Sequence, residues 1–210
     1  MPSPPPFRLV LRMAALAVMV SSALMLLIGI RSDYEVLGPL LTWGASVAQF
    51  GLAIVLVWLA AHESTPANRL PTNVVYLIVI ATSLVVVILT WLTFSISPTT
   101  GDWRGDSRVS PWALGLPCGI TSIMAGGILV GLFSWVYRNS LATRPAVAGA
   151  LYGAGAGVAI NAGWRLACPI SDPWHVLGFH GTPVVAITLL GALAGHIVGT
   201  RKRFLPDKCS

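Results

Sequence analysis

Six apolar stretches, each about twenty residues or slightly more, alternate along the chain with short clusters of charge, proline and glycine, at about 9–30, 40–61, 74–96, 112–136, 146–167 and 176–198. A helix needs roughly 20 apolar residues to cross about 30 Å of hydrocarbon. Inside lipid every backbone N–H and C=O must find its partner within the protein. Continuous runs of this length satisfy that as helices rather than as the alternating strands of a barrel. The pattern predicts an all-α polytopic membrane protein, a six-transmembrane-helix bundle forming one integral membrane domain over residues 1–210, with no soluble domain. The first run follows Arg8 and Arg12 as a signal peptide would. It is too long for one, however, and Arg31, Ser32 and Asp33 follow it in place of small cleavage-site residues.

The segments between the runs are short. The longest goes from about residue 97 to 111, and its Gly101, Asp102, Gly105 and Asp106 beside Trp103 and Trp112 suit a turn-rich loop resting on the headgroup layer. Before the first run lies a stub of about eight residues whose four prolines favour an extended chain. Composition agrees with lipid as the solvent: 55% of residues are hydrophobic and only 10% charged, and the mean hydropathy is +0.79. That leaves too little polar material to coat a water-soluble surface.

The net charge of +6 reports orientation rather than a nucleic-acid partner, because the basic residues form no patch or stripe. With the N-terminus in the cytoplasm, Arg8, Arg12, Arg69, Arg138, Arg144, Arg201, Lys202, Arg203 and Lys208 lie inside. Arg31, Arg104, Arg108 and Arg165 lie outside, so the basic residues divide nine to four. This is the asymmetry of the positive-inside rule, and it places the N-terminus and C-terminus both in the cytoplasm.

Glycines recur every four residues at Gly149, Gly153 and Gly157 in the fifth run and at Gly191, Gly195 and Gly199 in the sixth. Each set forms a smooth groove along which another backbone can approach closely. The grooves serve either contact within the bundle or an oligomer interface. Gly126 and Gly131 in the fourth run suit the same close packing.

Candidate chemistry is confined to the outer side. Cys118 starts the fourth run and Cys168 ends the fifth, while Cys209 lies in the cytoplasmic tail. Measured from Leu141 at the hairpin tip, the first two are about 23 and 27 residues away. At about 1.5 Å rise per residue their depths differ by roughly one helical turn. Both thiols thus sit at a similar level on the oxidising face, as a disulfide would require and as two unrelated buried cysteines would also permit. Close by are Asp172, His175 and His180, and these with Cys118 and Cys168 offer donors for a soft metal ion, although the spacing matches no established metal signature. The bland alternative makes His175 interfacial and His180 a helix–helix hydrogen bond.

His62 and His196 fall near the cytoplasmic ends of their runs, a placement that allows a bis-histidine haem but is more often interfacial. No bound cofactor is expected beyond the soft ion. Within the spans the polar residues are chiefly Gln49 and Asn161 besides serines and threonines. With no intramembrane carboxylate, lysine or relay, and no nucleophile–base pair, neither a coupled transporter nor an enzyme is indicated.

Several short motifs carry a resemblance. Pro117-Cys118, Tyr137-Arg138, Arg144-Pro145, the glycine-rich stretch 148–157, Cys168-Pro169, His180 and Gly191 through Gly195, together with Gly29-Ile30-Arg31-Ser32-Asp33, make the chain similar to the NrsF family of bacterial inner-membrane proteins, negative regulators of an extracytoplasmic-function sigma factor. The resemblance implies a six-helix anti-sigma factor that holds its partner at the cytoplasmic face and releases it under metal or oxidative stress, with Cys118 and Cys168 at the positions of the sensor pair. Such regulators begin with a longer cytoplasmic segment than the stub here. Either the inner loops and basic tail hold the sigma factor, or the chain serves as a structural accessory subunit docked against other membrane proteins.

Overall fold

The computed structural model describes residues 6–31, 34–63, 70–96, 111–137, 144–170 and 172–204. Residues 1–5 of the proline stub, the loop at 97–110, the basic loop residues Arg69 and Arg138, and the tail with Lys208 and Cys209 lie outside the described residues, while the end of the stub from Pro6 on is helical rather than extended.

Every described element is helical. The chain runs through α1 (Pro6–Ile28), α2 (Tyr34–Pro39), a π-helical turn (Leu40–Gly44), α3 (Ala45–His62), α4 (Thr72–Ile96), α5 (Pro111–Tyr137), α6 (Pro145–Ala167), α7 (Pro173–His175), a second π-helical turn (Val176–Gly181) and α8 (Thr182–Phe204). Six of these helices are long. Five segments, Leu37–His62, Thr72–Thr93, Gly115–Trp135, Pro145–Ala167 and Pro173–Thr200, have the length and apolarity of a membrane crossing. The protein is therefore a multi-pass helical membrane protein.

The boundaries differ from the sequence expectation at two places, and the backbone explains both. The second run does not start as a regular helix at residue 40. Gly38 takes a left-handed φ of 70° and breaks α2, and Pro39 has no N–H to continue a ladder. The chain then widens into a π turn before α3, closed by the Ala45 N–H on the Leu40 carbonyl, while Thr42 Oγ1 donates to the Gly38 carbonyl at 2.9 Å. The sixth run likewise opens with a cap, one short turn and a π turn before α8 begins at Thr182.

α6 forms the axis of the bundle, with α8, α3, α1 and α5 packed around it. It can be central because it is built mostly of glycine and alanine, so neighbours approach its backbone from several sides. Its glycines meet those of α8 directly. A Cβ on Gly149 would overlap the Gly191 carbonyl, one on Gly153 the Ile187 carbonyl, and one on Gly195 the Pro145 carbonyl, while Gly199 abuts the Pro145 ring. On Gly157 a Cβ would lie 3.0 Å from Val184 Cα. Both grooves are thus occupied inside one chain. In α5, Gly126 packs on Ile187, but Gly131 has nothing within 4 Å of a Cβ position and so makes no close contact.

Two buried polar clusters mark the ends of α6. At its N-terminal end the Arg144 guanidinium grips the Glu63 carboxylate, Nε to Oε2 at 2.7 Å and Nη2 to Oε1 at 2.6 Å, and also donates to the Leu70 carbonyl at 2.8 Å and Thr72 Oγ1 at 3.2 Å. Glu63 is 1% exposed, so this fork joins the end of α3 to the starts of α4 and α6 in a low-dielectric setting where bidentate geometry counts most. Midway along α6, Asn161 Nδ2 donates to Gln49 Oε1 at 3.1 Å. At the C-terminal end Arg31 collects carbonyls that the helix terminus leaves without partners. Its backbone N–H bonds the Leu166 carbonyl at 2.9 Å, and its guanidinium bonds those of Arg165 at 3.1 Å and Pro169 at 3.4 Å. The left-handed Gly29, φ 93°, lets the chain turn out of α1 to deliver it.

Candidate functional site: a buried thiol–imidazole cluster

Beyond Ala167 the chain leaves α6 at Cys168, which ends the helix with an extended backbone and a bond from its N–H to the Trp164 carbonyl. Pro169 prevents the helix from resuming. Helical geometry restarts at Asp172, whose carboxylate accepts the backbone N–H groups of Trp174 at 3.0 Å and His175 at 3.1 Å, with Pro173 at the first helical position. Asp172 is thereby a helix cap, and it is absent from the donor cluster that the sequence suggested it joins.

The cap fixes His175, and the π turn that follows fixes His180 relative to it. At 3.6 residues per turn, residues five apart would be rotated by about 140°. The i to i+5 bonding of a π turn sets them nearly one above the other, and here the Thr182 N–H closes such a turn on the Leu177 carbonyl. His180 Nε2 consequently lies 3.2 Å from His175 Nε2, with the ring centroids 5.2 Å apart. Phe179 seats the turn against α5, where Gly115 leaves no room for any side chain beside the ring. Sequence reading missed Gly115, because an isolated glycine in an apolar run carries no mark of what it faces.

Cys118 enters from α5, one turn below Leu114. Ser122 Oγ donates to its carbonyl at 2.6 Å and Thr121 Oγ1 to the Pro117 carbonyl at 2.6 Å, so the hydroxyls serve backbone groups and leave the thiol to the cluster. Cys168 Sγ is 3.5 Å from His175 Nε2. Cys118, Cys168, His175 and His180 are all buried, and their four donor atoms lie within 4.8 Å of one another. Both cysteines are free thiols rather than a disulfide. The Cys168 thiol is held below its ordinary value by its hydrogen bond with Cys118 first, then by those with His175 and His180. His175 is packed inside the protein, 6% exposed.

Around the cluster stand Trp164, whose ring meets His180 edge-on at 5.5 Å, and Arg165, which donates to the Leu41 carbonyl at 3.3 Å and to Thr93 Oγ1. The Leu41 carbonyl belongs to the first π turn. The other candidate histidines are remote from this chemistry: the His62 ring lies tilted against Trp58 with centroids 4.0 Å apart and its Nδ1 bonds the Trp58 carbonyl, and His196 is exposed on α8.

The chain is thus a multi-pass helical membrane protein with a cluster of thiols and imidazoles buried at one end of its central helix and an ion-pair fork at the other. The chain belongs to the NrsF family, whose description is negative regulator of sigma F, and the match covers residues 1–198. No curated protein and no solved structure matches it. The resemblance carried by the short motifs is therefore family membership. It gives the chain a regulatory, non-catalytic role and a sigma factor as partner.

Proposed function

We propose that the chain crosses the bacterial inner membrane six times with both ends in the cytoplasm, holds a sigma factor at the cytoplasmic face, and releases it when Cys118 and Cys168 react on the outer side with a soft metal or a thiol oxidant. The observation that carries this reading is the span of α6. Cys168 closes its outer end, and Arg144, in its fork with Glu63, precedes its inner end. Between them the helix is packed backbone to backbone against α8, so the two ends are joined by a stiff element. Chemistry at the thiols transmits only if the two bundle arrangements differ in affinity for the sigma factor.

The reading is tested by purifying the tagged full chain from its own membranes in mild detergent. A sigma factor should be recovered in about equimolar amount and should be lost when the chain is omitted. Recovery of a stable assembly of other membrane subunits without any sigma factor would favour an accessory-subunit role instead.

A further inference from the structure

We propose that Cys118, Cys168, His175 and His180 form a closed tetrahedral site for one d10 metal ion, with Zn²⁺ as the representative. The inference rests on the sensor reading above and gives its outer site a ligand.

Distances support it first. Zinc bonds to sulfur at about 2.3 Å and to imidazole nitrogen at about 2.0–2.1 Å. A regular tetrahedron with those radii has edges of about 3.3–3.4 Å between nitrogens, about 3.6 Å between nitrogen and sulfur and about 3.8 Å between sulfurs. The structure places the two Nε2 atoms 3.2 Å apart and Cys168 Sγ 3.5 Å from His175 Nε2. All remaining pairs are within 4.8 Å, so closing the tetrahedron asks for a contraction of at most about 1.2 Å along any edge. Among the described residues no other group of three or more histidine, cysteine or acidic side chains converges in this way.

Charge supports it next. A divalent ion with two thiolates and two neutral imidazoles is neutral overall, the form that a buried site at a membrane boundary accommodates at least cost. Binding is balanced by release of the two thiol protons: the ion enters, two S–H bonds break, and two metal–sulfur bonds form. Four protein donors leave no open position, so the site suits structural coupling rather than hydrolysis.

The far side of His180 supplies the third argument. A ligating imidazole normally donates its other N–H to a fixed acceptor. His180 Nδ1 and the neighbouring Trp164 Nε1 are buried without partners among the described residues. Both residues line a cavity of about 30 Å³ shared with Asn161 and Arg165, large enough for one or two water molecules. A water there accepts both N–H groups and fixes the tautomer that directs Nε2 toward the metal.

An ion in this position ties α5, the end of α6 and the π turn before α8 together at three points. The test is titration of the purified, metal-free full chain with Co²⁺ in detergent. The expected result is one Co²⁺ per chain, with visible bands of tetrahedral intensity and a thiolate charge-transfer band, both lost on adding Zn²⁺. C118S should reduce the charge-transfer intensity by about half, and H175Q and H180Q should each weaken affinity by about 100-fold or more. Thermal melts and size exclusion verify that each variant is folded. Absence of tetrahedral bands from the folded wild type, or bands unchanged in the folded double variant H175Q/H180Q, would overturn the site. Because the measurement needs no sigma factor, a chain that binds Co²⁺ but never recovers a sigma factor refutes the regulatory reading alone. One that retains a sigma factor without binding Co²⁺ refutes the metal site alone.

Discussion

Replacing Gly191 with alanine adds one methyl group where the facing backbone leaves no room for it. The new Cβ would overlap the Gly149 carbonyl oxygen and lie 2.9 Å from Gly153 Cα and 3.0 Å from Gly153 N, against ordinary contact beginning near 3.4 Å. All three obstacles are backbone, so no side-chain rotation relieves them, and α6 and α8 must part by roughly 1 Å. A gap of that size forfeits about a quarter to a half of each dispersion contact along the seam, and association in lipid depends on such contacts. Overpacking costs about 1–3 kcal/mol, and alanine recovers up to about 1 kcal/mol of helix propensity. The net loss is about 1–2 kcal/mol, or a fall in melting temperature of about 2–8 °C for a chain of this size. Gly131→Ala is the control, since nothing lies within 4 Å of its Cβ position, and it should melt at or slightly above wild type. Thermal unfolding of the three proteins in one detergent makes the comparison. If Gly191→Ala melts with Gly131→Ala, the glycine seam does not hold the bundle together.

Other outcomes follow from the same structure. Arg144→Ala should destabilise more than Glu63→Ala, by about 1–2 kcal/mol, because it removes the bidentate guanidinium from a carboxylate that is 1% exposed. The partly exposed Arg144 keeps its bonds to Leu70 and Thr72 when Glu63 is removed. Urea unfolding in mixed micelles reads the difference, and the reverse order would refute the fork's assigned role. Mild oxidation with diamide should link Cys118 to Cys168 within one chain, since their sulfurs are already within 4.8 Å and need only close to about 2.05 Å. Peptide mapping by mass spectrometry that found only intermolecular links would contradict the cluster geometry. A reporter fused after Ser210 should be active inside the cell and one inserted at about residue 103 outside; the opposite pattern would invert the topology.

The long helices were legible because membrane crossing imposes a length on an apolar run, and the fourfold glycine spacing on α6 and α8 declared close packing before any partner was known. Counting residues from the hairpin tip brought Cys118 and Cys168 to one level, but could not say whether they face each other. What escaped was register and long-range pairing. A π turn differs from an α turn by one residue in its hydrogen bonding and leaves no compositional mark, yet that residue decides whether His175 and His180 share a face. Asp172 read as a metal donor because a carboxylate beside histidines is ambiguous until its acceptor role at a helix start is seen. Glu63 and Arg144 are 81 residues apart, and only the bundle makes them a pair.

The central claim is that chemistry at the outer thiols frees a sigma factor from the membrane. It is tested most directly by fractionating cells before and after brief exposure to a thiol-binding metal and quantifying the sigma factor in membrane and soluble fractions, for wild type and for C118S/C168S. The sigma factor should move to the soluble fraction in wild type and stay in the membrane in the folded double variant. Equal release from both would contradict the claim.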